Sequence, residues 1–132
     1  DYLYLPLFQA GRGINCFGEP LDEQGKTFDP VFRQGVLSYS MDSFLSQYHR
    51  FPDHLKIDVD GIESKIIKGS EKTFKNPKLK SLLIEINDEL QEHLELVNEI
   101  QSTGLLLRHK KHADMFEEGK YSKIYNYVFT RT

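Results

Sequence analysis

Hydrophobic and polar positions change their period several times along the chain. In "HLKIDV" (54–59) they alternate: Leu55, Ile57 and Val59 point one way, and Lys56, Asp58 and the following Asp60 the other. That predicts a strand with a lysine and two carboxylates on one face. After Gly61, Ile62, Ile66 and Ile67 recur at helical spacing, so a helix is predicted that ends near Gly69, with a turn at Asn76-Pro77. "SLLIEI" (81–86) is a short apolar run between polar residues, the pattern of a strand buried on both faces. "NDELQEHLELVNEIQSTG" (87–104) predicts a helix with a stripe of Leu90, Leu94, Val97 and Ile100, capped by Asn87 or Asp88 and ended by Gly104. The stripe leaves His93 off its apolar face. "LLLRH" (105–109) and "KIYNYVFTR" (123–131) read as strands, joined by a charged linker and paired antiparallel.

Upstream, "VLSYS" (36–40) predicts a short strand. "SMDSFLSQY" predicts a helix capped by Ser40, with Asp42 at its positive end, Phe44, Leu45 and Tyr48 facing inward, and Pro52 beyond it. Residues 18–35 carry Gly18, Pro20, Gly25, Pro30 and Gly35 and read as a long loop. Residues 1–17 suggest one or two short strands broken at "GRG" (11–13). The alternation of strands and helices from residue 36 predicts an α/β sheet with helices on both faces.

Composition narrows this picture. With 132 residues the chain suits one domain, a variable strand and loop region over 1–35 and an α/β core over 36–132. Net charge is −3, which gives no basic footprint for nucleic acid. The basic run "RHKKH" (108–112) is followed by acidic residues, so His109 and His112 are expected to face solvent. The single cysteine, Cys16, rules out a disulfide framework within the chain and suits a reducing, cytoplasmic setting. No apolar run reaches membrane-spanning length, and the first residues show no signal-peptide pattern. Asp1 rather than Met opens the sequence, so a processed or interior start is expected.

In an open α/β sheet, ligands sit beyond the carboxyl ends of the strands. Asp58 and Asp60 lie at that end of one strand, and Glu85 and Asn87 at that end of the next, so these polar groups are expected to share one rim. A lysine inside a buried strand requires a partner, and Asp58, two residues on, is the obvious one for Lys56. The plainer reading makes Lys56–Asp58 a structural ion pair and Asp60 a helix cap. A calcium loop does not fit, because Gly61 comes fourth rather than sixth and apolar residues follow. "DVD" is also the DxD of metal-dependent glycosyltransferases, a short and weak motif. A metal among Asp58, Asp60 and Glu85 finds no histidine with a place in the cluster, so none is assigned.

"YSMDSFL" (39–45), "LKIDVDGIESKIIKGSE" (55–71), "SLLIEIN" (81–87) and "NYVFTR" (126–131), in that order, resemble the C-terminal half of the FkbM family of S-adenosylmethionine-dependent methyltransferases. Ser40 stands for a threonine of the family pattern, Asp60 for a glutamate and Ser70 for an alanine. The resemblance implies a Rossmann-like sheet in which "KIDVDG" is the fourth strand, "LLIEI" the fifth, and the last two a hairpin. It implies S-adenosylmethionine as cofactor and a small-molecule or glycan hydroxyl as acceptor. Asp58 would orient or deprotonate that acceptor, Lys56 would keep Asp58 ionised, and Glu85 would face the same pocket. Asp60 and Asp42 fall to the cofactor side, Glu63 and Asn87 to the substrate side. "GRG" neither follows a clear strand nor opens a helix, so the glycine-rich cofactor loop is missing and the chain is expected to be the C-terminal part of a methyltransferase domain. Such a piece would expose a sheet edge through which two copies could pair. The alternatives are the DxD glycosyltransferase and a non-catalytic interaction module.

Overall fold

A computed structural model describes residues 1–7, 15–22, 26–59, 61–112, 118–119 and 121–132. Its described residues form two compact units, Asp1–Tyr39 with Val59–Ile62, and Ser40–Asp58 with Glu63–Thr132.

The first unit is a small antiparallel sheet in the order β2-β1-β3. β1 (Tyr2–Leu5) pairs with β2 (Cys16–Phe17) on one side and β3 (Phe32–Gly35) on the other. The two early strands expected from the sequence are therefore present, while "GRG" lies outside the described residues. The strand expected over 36–40 is displaced. β1 fixes the register, so its partners are Phe32–Gly35, and only Val36 extends the ladder by exchanging hydrogen bonds with Asp1 at 2.9 and 3.0 Å. Leu37 beyond it is 90% exposed.

The second unit holds α1 (Met41–Tyr48), β4 (His54–Ile57), α2 (Glu63–Lys68), α3 (Glu71–Lys75), β5 (Ser81–Asn87), α4 (Gln91–Ser102), β6 (Leu106–Lys111) and β7 (Ile124–Thr130). Its sheet runs β4-β5-β7-β6. β4 and β5 are parallel, and β7 is antiparallel to both β5 and β6, as the alternation and the last linker predicted. Ile57, Leu82, Ile84, Ile86, Tyr127 and Phe129 are buried on one face and form the core with Ile67, Phe74, Leu96 and Ile100 of the helices.

Three expectations need correction. β5 is not buried on both sides. Its residues alternate strictly: Leu82, Ile84 and Ile86 are buried, while Ser81, Leu83, Glu85 and Asn87 are half-buried. α2 packs on α4, so the crossovers leaving β4 and β5 lie on the same side of the sheet. Phe44 and Tyr48 of α1 do not face inward. They are exposed and lie against each other, ring centroids 4.6 Å apart. The helical stripe on α4 is rotated: Leu90 lies before the helix, which begins at Gln91, and the buried residues are His93, Leu96 and Ile100 while Leu94 is exposed. The Ser40 cap holds, its hydroxyl accepting from the Ser43 amide at 3.2 Å. Gly104 ends α4 at φ +90°, a conformation that suits glycine.

Candidate functional site

Alternation places Lys56 and Glu85 on the half-open face of the sheet, since Ile57, Ile84 and Ile86 occupy the buried one. Lys56 Nζ lies 2.7 Å from Asp58 Oδ2. The pair is not buried as the sequence suggested: the two side chains are 62% and 51% exposed. Among the described strands β4 lies at the edge of the sheet, and the pair on it reaches solvent. The Asp58 hydrogen bond and charge hold the Lys56 ammonium above its ordinary pKa, and the Glu85 carboxylate adds to the effect. Lys56, Asp58 and Glu85 therefore come together at the carboxyl end of β4 and β5.

The remaining site residues take other places. Asp42 reaches from the first turn of α1 to the start of α3, accepting from the Lys72 and Thr73 amides at 3.0 and 2.9 Å and from the Thr73 hydroxyl at 2.6 Å. Partial burial pushes its carboxyl up, but these bonds outweigh that and leave it below the ordinary range. Both its oxygens are engaged in capping α3 from 30 residues away in sequence. Asp60 lies outside the described residues. Asn87 closes the turn after β5: its side-chain oxygen accepts from the Glu89 amide at 3.0 Å and its carbonyl from the Leu90 amide at 3.1 Å.

Glu63 opens α2 and is buried. Its Oε2 lies 3.5 Å from Nε2 of His93, which is buried in the first turn of α4. His93 Nδ1 accepts from the Asn87 amide at 3.1 Å. Burial lowers the imidazole pKa, so the ring is neutral and carries its proton on Nε2, towards Glu63. The sequence offered a signal for this that the aliphatic stripe concealed: His93, Leu96, Val97 and Ile100 stand at i, i+3, i+4 and i+7.

A second cluster escaped sequence reasoning. The Tyr127 hydroxyl donates to Asp88 Oδ1 at 2.7 Å, and Lys110 donates to Asp88 Oδ2. The Lys110 ammonium sits 4.1 Å above the Tyr125 ring. Burial pushes the Tyr127 hydroxyl up, and the Asp88 bond pushes it the same way. The His112 ring meets the edge of Tyr125 at 3.9 Å and is half-buried rather than solvent-facing.

Among the described residues, then, two carboxylates and an ammonium stand together at the rim. Asp42 is engaged with α3, and Asp60 and "GRG" lie outside the described residues. Among the described residues no helix is long and apolar enough to cross a membrane.

No curated protein and no solved structure matches the chain. The family model of the methyltransferase FkbM domain matches residues 18–112. That span begins earlier than the quoted motifs and stops before "NYVFTR", but it contains β4, β5, the Lys56–Asp58 pair, Glu63 and His93. With more than half of its length matched, the chain belongs to the FkbM methyltransferase family.

Proposed function

We propose that the chain serves S-adenosylmethionine-dependent methyl transfer to an oxygen acceptor, a small-molecule or glycan hydroxyl. The observation that carries this is the convergence of Lys56, Asp58 and Glu85 at the carboxyl end of two parallel strands, inside the span matched by the family. When bound, the cofactor supplies an electrophilic methyl group. The chain's own residues would act on the acceptor. Asp58 accepts its hydroxyl proton as general base. Lys56 stabilises the ionised carboxylate by hydrogen bond and charge, and Glu85 limits which acceptors approach by adding negative charge to the same face. The openness of the pair, with both side chains more than half exposed, suits a base that must meet a substrate from outside. The single cysteine supports a reducing, cytoplasmic setting. Among the described strands β4 is at the edge, and such an edge accepts a further strand, from a second copy of the chain for instance.

The test is a thermal-shift titration with S-adenosylhomocysteine, and a parallel series with UDP-sugars and manganese. A ligand at a hundredfold excess over its Kd stabilises the folded state by about 2.7 kcal/mol. Stabilisation by S-adenosylhomocysteine is expected. Stabilisation only by the sugar nucleotide with metal would replace this reading with the glycosyltransferase one, and silence in both series would replace it with a non-catalytic module.

A further inference from the structure

Glu63 and His93 are the one carboxylate and the one imidazole in the buried set of the described residues. They join the first turn of α2, the helix that leaves β4, to the first turn of α4, the helix that leaves β5. The other nitrogen of His93 holds the amide of Asn87, the last residue of β5. One imidazole on α4 thus hydrogen-bonds the end of the strand that carries Glu85 and faces the Glu63 carboxylate of α2 at 3.5 Å, an electrostatic contact rather than a hydrogen bond. We propose that Glu63 and His93 are positioning residues of the transfer site, a buried lock behind the rim that fixes the carboxyl end of β5 relative to the start of α2. The proposal rests on the methyltransferase reading for what the rim does, and on geometry alone for what the lock does.

Stability is a poor explanation of the pair. Burying a carboxylate and an imidazole costs desolvation that well-packed apolar side chains of similar volume would avoid, and replacing such pairs by apolar ones is often neutral or stabilising. The polar pair supplies direction instead. An imidazole that accepts at Nδ1 must present Nε2–H on the far side of its ring, and the carboxylate of Glu63 stands there. Leucine at either position would fill the space without defining where Asn87 points. Because Asn87 also accepts from the Glu89 and Leu90 amides, each of its backbone polar groups and its side-chain oxygen is tied into the turn. The turn is short, so an error at Asn87 passes directly to Glu85, two residues back on the same face.

The test uses the whole chain, labelled with 15N. A long-range proton–nitrogen spectrum of the imidazoles reads the His93 tautomer, and amide exchange reads Asn87. Three variants accompany the natural chain: Glu63→Gln, His93→Leu, and His93→Asn, whose side-chain oxygen can stand in for Nδ1. The expected result is a neutral ring protonated at Nε2, with its signal displaced in Glu63→Gln. Exchange at Asn87 is expected to be about five- to tenfold faster in His93→Leu and to return towards the natural rate in His93→Asn. A ring protonated at Nδ1, or Asn87 exchange unchanged in a folded His93→Leu chain, overturns the proposal. If His93→Leu does not fold, the tautomer of the natural chain and the exchange of His93→Asn decide. Titrating the same samples with S-adenosylhomocysteine separates the two ideas. A natural chain that shows the lock but binds no S-adenosylhomocysteine sinks the methyltransferase reading alone, and a chain that binds it without the lock sinks the positioning proposal alone.

Discussion

The two faces of the four-stranded sheet are built from the same strands and have different work. On one, Ile57, Leu82, Ile84, Ile86 and Phe129 are nearly sealed from solvent. On the other, Leu83, Glu85, Asn126 and Val128 are half-buried and Lys56 is exposed. Neighbouring residues of one strand therefore differ in what they contribute: every second side chain holds the fold, and the one between is available to a ligand. The polar side-chain pairs divide in the same way. Lys56–Asp58 is short and open, whereas Glu63–His93 is longer, at 3.5 Å, and buried.

The sharpest way to break this comparison is to truncate adjacent residues of β5. Ile84→Ala removes a fully buried side chain and should cost about 2–5 kcal/mol, through lost burial and the cavity left behind. Leu83→Ala, one position away on the half-open face, should cost about 1 kcal/mol. Urea unfolding of both variants reads the difference. Equal costs would mean that both faces are packed, as the apolar run originally suggested.

That run shows where the sequence is legible and where it is not. In β4 the alternation of Leu55, Lys56, Ile57 and Asp58 made the period of two visible, and the Lys56–Asp58 pair could be read from it. In β5 a leucine sits on the open face at position 83, so the same period was hidden inside an apolar run. α4 is visible as a helix, but its leucines favour a stripe through Leu90 and Leu94, whereas the fold buries the neighbouring stripe of His93, Leu96 and Ile100. α3 has a serine, Ser70, at its N-cap, but that hydroxyl donates to the Ile66 carbonyl, and the amides of α3 are capped by Asp42 in another helix. The role of Arg131 left no local trace at all. Its guanidinium donates to the carbonyls of Leu79 at 3.1 Å and Thr103 at 2.8 Å, and to that of Phe74, contacts that only the fold creates. Local periodicity shows elements and faces; polar groups that tie one element to another appear only once the chain is folded.

Asp42→Ala offers a second test, of intermediate size. If Asp42 acts as a remote cap, its loss leaves the first amides of α3 without their acceptor and should cost about 1–2 kcal/mol. Thermal unfolding measures that cost. A stability unchanged by the substitution, with a lost response to S-adenosylhomocysteine, would move Asp42 to the cofactor side.

A smaller effect is expected from pH. Burial lowers the His93 pKa in the folded chain, whereas the unfolded chain takes up the proton near about pH 6.5. The unfolded state therefore binds more protons below that point. This contribution to stability is fully present above about pH 6.5 and is lost as pH falls through the window down to the folded pKa. Carboxylates such as Asp42, also held below the ordinary range, lose their contribution at lower pH still, so the two can be resolved. Stability measured from pH 7.5 to 5 should fall less steeply in His93→Asn than in the natural chain. Identical slopes would mean that the imidazole is already as easily protonated in the fold as outside it.

The smallest effect on stability belongs to the open pair, and there its size decides most. An exposed ion pair loses much of its attraction to water and salt, so its presence at 2.7 Å is weak evidence of a structural role. Lys56→Met and Asp58→Asn should leave the Tm unchanged within error. If Asp58 is the base, Asp58→Asn should nevertheless slow methyl transfer to a hydroxyl acceptor by about 10²–10⁴-fold, because the amide cannot take the proton. Lys56→Met should slow it less, since the Asp58 carboxylate that takes the proton is still present. A Tm that falls in both variants as far as in Ile84→Ala would make the pair part of the fold's framework and leave the half-open face without a base. An unchanged Tm with a collapsed transfer rate would assign stability to one face of β4 and β5 and chemistry to the other, residue by alternate residue.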